Sequence, residues 1–95
     1  MHVALLSREY PPDVYGGAGV HVEYLARELA KLTQVTVHCW GEPRPNATPP
    51  VIAHQPWAAL SGSEPYMAAL ATLSTDLTMA AATDDVTIAH SHTWY

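Results

Sequence analysis

At 95 residues and 10.3 kDa, with 48% hydrophobic and 14% charged residues, the chain has material for one small domain with a core and is not disordered by composition. Nine acidic residues against four basic ones give a net charge of −5, and no Lys or Arg follows Arg44, which argues against a basic nucleic-acid groove or an anionic membrane surface as partner. No apolar run approaches the ~18 residues that a bilayer span requires.

The opening segment, Met1-His2-Val3-Ala4-Leu5-Leu6-Ser7-Arg8, has neither a basic leader nor a small-residue cleavage site, so no secretion signal is expected. Val3 to Ser7 predicts a strand buried on both faces. Arg8 to Gly19 predicts a loop, with Pro11-Pro12 near one end and Gly16-Gly17-Ala18-Gly19 at the other. A helix follows. Val22, Leu25, Leu29 and Leu32 advance by three, four and three and share one face, while Glu23, Arg27, Glu28 and Lys31 hold the other. Gln34 to Trp40 alternates Val35, Val37 and Cys39 with Thr36, His38 and Trp40 and predicts a second strand. Cys39 is the only cysteine, so no internal disulfide forms and a reducing cytoplasm is the expected home. Gly41 to Pro50 is proline-rich and predicts a surface loop, and Val51 to His54 a short third strand. Ser63 is expected to N-cap a second helix, with Pro65 in its first turn. Tyr66, Leu70, Leu73 and Leu77 would form the buried face of that helix, which runs to about Ala82, with Met67 and Met79 filling the core on or near that face. Asp84-Asp85 lead into a fourth strand over Val86 to His90.

The order β-α-β-β-α-β predicts an α/β domain, a Rossmann-like, doubly wound parallel sheet with strand order 3-2-1-4. Such a sheet needs cover on both faces, and the sequence stops just past a strand. Residues 1–95 are therefore expected to be an incomplete N-terminal piece of a longer protein.

In that topology the winding reverses between the first and fourth strands, and ligands bind outside the strand ends at the reversal. The loops expected to meet there are Arg8 to Gly19 and His90 to Tyr95. Gly16 and Gly17 open a helix, where outward N–H groups attract phosphate and the missing Cβ lets backbone approach it; the plainer alternative is a turn that needs positive φ. The spacing fits neither a nicotinamide fingerprint nor a G-x-x-x-x-G-K-[ST] phosphate loop. His90 and His92 should face one side of the strand, with His90 buried against the first strand and His92 nearer the crevice. A zinc site needs three or four ligands, and no further His or Cys pair has metal spacing, so no metal is expected. Trp94 and Tyr95 are either a sugar-stacking platform or core anchors. Arg8 and Glu9 orient a substrate or form a solvated loop pair. No nucleophile-elbow pattern supports a hydrolase.

The run Arg8-Glu9-Tyr10-Pro11-Pro12 followed by Gly16-Gly17-Ala18-Gly19-Val20-His21 resembles the N-terminus of retaining glycosyltransferases with the GT-B fold. The closing His90-Ser91-His92-Thr93-Trp94-Tyr95 narrows the resemblance to bacterial glycogen synthases, and within them to the group that makes α-maltose-1-phosphate from ADP-glucose and glucose-1-phosphate. The resemblance implies a partial N-terminal GT-B domain whose second, nucleotide-binding domain lies outside this sequence. It implies that Gly16 and Gly17 approach the donor's phosphates and that His92, Thr93 and Trp94 lie on the sugar and acceptor side. The main catalytic residues are expected outside the segment, which alone would be inactive, and no cofactor is implied. The partners implied are ADP-glucose and a glucan or sugar-phosphate acceptor, in an enzyme of glycogen synthesis, with room for a homo-oligomer. Two departures from the glycogen-synthase pattern are Val14 at a lysine position and Thr93 at an aspartate position. The alternatives are a glycosyltransferase using another sugar nucleotide, of mannosyl or glycolipid type, or a small non-enzymatic nucleotide-binding module.

Overall fold

Alternation along the first two strands sets the architecture. The computed structural model describes residues 1–11, 17–57 and 64–92. Strand β1 (His2–Leu6) pairs in parallel with β2 (Gln34–Trp40) on one side and β4 (Ile88–Ser91) on the other, and β3 (Val51–His54) pairs in parallel with β2. The order is β3-β2-β1-β4, the Rossmann-like winding that the sequence predicts.

One face of the sheet is apolar. Val3 and Leu5 of β1 and Val35, Val37 and Cys39 of β2 are buried there with Tyr10. Helix α1 (Gly17–Leu29) covers them with Val22 and Ala26, while Leu25 and Leu29 pack at the margin. Removing each large side chain here from water contributes roughly 1.5–3 kcal/mol. Leu32 is a correction to the predicted face. It falls after the last helical residue and is 83% exposed.

The other face is more polar, its residues being His2, Ala4 and Leu6 of β1, Thr36, His38 and Trp40 of β2, and Ile52 and His54 of β3. The His2 ring Nε2 meets Thr36 Oγ1 at 2.7 Å. His38 Nδ1 and His54 Nε2 are 2.9 Å apart with the two rings stacked, at 2% and 8% exposure. Helix α2 (Pro65–Ala81) rests near this face against β2 and β3. Its buried residues are Ser74, Thr75 and Met79. The buried hydroxyls are satisfied within the helix: Ser74 Oγ and Thr75 Oγ1 both donate to Ala71 O, at 2.8 and 3.0 Å. Trp57 adds two links, donating from its backbone N to Ser74 Oγ and from Nε1 to Thr78 Oγ1.

This overturns the predicted face of α2. Tyr66, Leu70, Leu73 and Leu77 are 63%, 40%, 54% and 51% exposed. Small hydroxyl-bearing residues fit a sheet face built from histidines and threonine, whereas a leucine stripe there would strand those polar groups. Of the two methionines, Met79 is in the core and Met67 is half-buried. The cap also differs. Ser63 lies outside the described residues, the N-cap is Glu64 without a side-chain cap bond, and Pro65 opens the helix as expected. Strand β4 begins at Ile88 and extends through Ser91, rather than spanning Val86 to His90.

In the 95-residue chain, Leu73→Gln or Leu77→Gln is expected to shift stability by less than about 0.5 kcal/mol. Met79→Ala should cost roughly 2–5 kcal/mol. Urea unfolding of the three variants checks the order, and a larger loss at Leu73 would restore the apolar face as the buried one.

The histidine pair gives a pH dependence with a definite sign. Burial, then the mutual proximity of His54 and a smaller push from His2, holds His38 below the ordinary 6.5, with Asp85 opposing; burial does the same to His54. The unfolded chain therefore binds protons that the folded chain refuses. Stability is fully present above about pH 6.5 and falls as the pH drops through the depressed folded values. The melting temperature should be flat above about pH 7 and decline toward about pH 5, and His54→Gln should flatten that decline.

Candidate functional site

The site is built where β1 and β4 end side by side. Leu6 pairs with Ser91, and His92 N donates to Leu6 O at 2.8 Å, so the chain leaving β4 starts beside the chain leaving β1. Ser7 N donates to His38 O at 2.9 Å and Ser7 Oγ donates to Glu9 O at 2.7 Å, which turns the segment after β1 tightly back on itself. Glu9 is buried, and the Arg8 guanidinium stands 4.4 Å over the Trp40 ring. The two are thus built into the strand ends rather than forming a solvated pair.

Helix α1 starts at Gly17, and its His21, one turn on, meets His92 at this corner. Neither ordinary structural reason for a glycine applies at Gly17. The residue is helical, and among the described residues only Gly41, at φ 102°, has positive φ. A Cβ added at Gly17 would meet nothing within 4 Å. The Cβ side of Gly17 is therefore open at the start of a helix, whose first backbone N–H groups have no partners within the helix itself. Gly16 lies outside the described residues, as do Thr93 and Trp94; of the predicted site residues the structure places Gly17 and His92.

His92 sits between two other imidazoles. Its ring centroid is 5.9 Å from that of His21, edge-on, and 4.2 Å from that of His90. His90 and His92 share a face of β4, as the alternation predicts. Their burial is the reverse of expectation: His90 is exposed and His92 half-buried. β4 is an edge strand, and among the described residues His90 is left exposed there, while His92 meets His21 of α1. The Nε2 atom of His92 is buried and has no hydrogen-bond partner among the described residues. Burial, then His90 and His21, lowers the His92 pKa below 6.5, so the imidazole is neutral at physiological pH. A neutral ring with one unpartnered nitrogen can donate to or accept from a hydroxyl group. Among the described residues, no group of three or more His, Cys, Asp or Glu is arranged to hold a metal ion.

On the opposite face of the sheet, Asp76 of α2 approaches Trp40 and Arg8. Burial raises its carboxyl pKa, and the Trp40 indole N–H and the Arg8 charge partly offset this. Arg44 holds the loops after β1 and β2 together through main-chain carbonyls. Sequence reasoning passed over His21 and Arg44. His21 carried a signal, since it lies one helical turn after Gly17. Arg44 carried none, because most of its bonds among the described residues go to main-chain carbonyls.

The sequence profile of Glycosyltransferase Family 4 matches residues 15–95. The chain belongs to Glycosyltransferase Family 4. As a member, it is 54% identical over its whole length to the alpha-maltose-1-phosphate synthases of two strains of Mycobacterium tuberculosis. It is 52% identical to the protein of that name from Mycolicibacterium smegmatis. In each comparison the chain spans 23% of the relative's length. Gly17 at the start of α1 and His92 just after β4 both lie within the matched region.

Because a Cβ at Gly17 meets only open space, Gly17→Ala is expected to leave the melting temperature of the 95-residue chain unchanged or slightly raised, by up to about 0.5–1 kcal/mol in stability. A clear loss of stability in thermal unfolding would mean that the chain itself needs the glycine.

Proposed function

We propose that the full-length protein is a retaining glucosyltransferase that moves glucose from ADP-glucose to glucose-1-phosphate or to an α-1,4-glucan. The observation that carries this reading is the pairing of a helix start at Gly17, where a Cβ would meet nothing within 4 Å, with the unpartnered Nε2 of His92, whose ring meets His21 of the same helix. The first suits a diphosphate and the second a sugar hydroxyl. The names of the mycobacterial relatives favour glucose-1-phosphate as acceptor, since joining it to a transferred glucose gives maltose-1-phosphate.

In this reading Gly16 and Gly17 lie against the donor's phosphates, and His92, Thr93 and Trp94 face the transferred sugar and the acceptor. The acceptor hydroxyl attacks the anomeric carbon from the face that the diphosphate leaves. Its proton passes to the departing diphosphate oxygen, and ADP is released. A second domain, outside these 95 residues, supplies the nucleotide pocket and the groups that stabilise the leaving charge. The 95-residue segment alone is then inactive. A reducing cytoplasm suits the single buried thiol of Cys39.

The test is Gly17→Val in the full-length protein. A branched side chain there fills the space the diphosphate needs. Each charge-assisted bond lost is worth ~1.5–3 kcal/mol, so kcat/KM for ADP-glucose should fall by well over about tenfold with the fold intact. Unchanged donor kinetics in a folded variant would refute the assignment. Comparing glucose-1-phosphate with glycogen as acceptor decides between the two products.

A further inference from the structure

Arg44 stands in a proline-rich loop after β2, yet most of what it holds together belongs to the strand ends. Its Nε donates to Pro11 O at 3.1 Å and its Nη2 to Tyr10 O at 3.0 Å, in a segment 33 and 34 residues earlier in the chain. Its Nη1 reaches Trp40 O at 3.2 Å, Glu42 O at 2.6 Å and Cys39 Sγ at 3.3 Å. These bonds use all three guanidinium nitrogens, and their oxygen acceptors among the described residues are main-chain carbonyls. The planar fork of arginine offers several fixed donors at once, whereas the single ammonium of lysine cannot reach two loops in the same geometry.

The place of this clamp matters more than its number of bonds. Tyr10 and Pro11 are where the chain leaves β1 on its way to Gly17. The Tyr10 side chain is buried in the core beneath, and Ser7 Oγ holds the Glu9 carbonyl just before it. The Arg44 guanidinium holds the next two carbonyls, of Tyr10 and Pro11, and Tyr10 packs in the same core as Val22 and Ala26 of α1. A helix start that must meet a diphosphate needs its supports fixed, because small misplacements of a binding group are costly.

We infer that Arg44 is a positioning residue for the donor, acting through the Tyr10–Pro11 carbonyls on the placement of Gly17. This rests on the reading of Gly17 as a donor contact. The class of ligand it serves is a nucleoside-diphosphate sugar.

The experiment uses the full-length protein with Arg44→Lys, Arg44→Ala and Gly17→Val, and ADP-glucose as probe. Initial rates are taken against ADP-glucose and, separately, against the acceptor. The expected result is a KM for ADP-glucose raised about tenfold or more in both Arg44 variants, with the acceptor KM unchanged and with partial rescue of Arg44→Ala by added ethylguanidinium. A structural role alone would lower the melting temperature and the active fraction while leaving both KM values in place, and that result overturns the inference. Should Arg44→Ala not fold, Arg44→Lys, which keeps the charge and the stem, carries the test. If Gly17→Val raises the donor KM and Arg44→Lys does not, the clamp is wrong and the donor site stands. If Gly17→Val leaves the donor KM unchanged, the donor reading falls and this inference falls with it.

Discussion

The backbone bond from His92 N to Leu6 O, 2.8 Å long, sets the geometry of the whole corner. It continues the parallel pairing of β1 with β4 one residue beyond the last strand position, so the two chains part at the same level. β4 pairs on the side of β1 away from β2 and β3, so the residue after β4 lies beside the end of β1. His92 then meets His21 of α1. Had β4 paired with β3 instead, the glycine-led helix and the histidine strand end would lie at opposite edges of the sheet.

A second constraint works across the sheet. The period of two along β2 sends Val35, Val37 and Cys39 to α1 and Thr36, His38 and Trp40 to the opposite side. The apolar side supplies most of the buried hydrophobic surface and fixes the axis of α1. The polar side is satisfied by specific pairs, His2 with Thr36 and His38 with His54, and takes the small hydroxyl-bearing face of α2. The helix at the site is held by the apolar face.

Much of this was legible in the sequence. Strands β2 and β3 appear with the predicted limits, because β-branched runs bounded by Gly, Pro and Asn leave little latitude. The strand order followed from the alternation of elements and the handedness of crossovers. The face of α2 was not legible. Tyr66, Leu70, Leu73 and Leu77 form the more apolar stripe, and periodicity alone sends such a stripe inward. What decides is the partner surface, and the polarity of the β2–β3 face appears only once His38 and His54 are brought together. The relative burial of His90 and His92 failed for a related reason. The predicted order already places the fourth strand at an edge, but a strand's own pattern does not show how far a helix covers it. Arg44 is the third case, since a residue that bonds to carbonyls leaves no pattern of side-chain types to read.

The central claim is that the corner between β1 and β4 receives the diphosphate of a sugar nucleotide. A crystal structure of the full-length protein with ADP-glucose bound tests it most directly. The account predicts a diphosphate oxygen within about 3 Å of the Gly17 backbone N–H and a sugar hydroxyl within hydrogen-bond reach of His92 Nε2. A diphosphate bound away from the α1 N-terminus, with the space before Gly17 filled by protein, would contradict it.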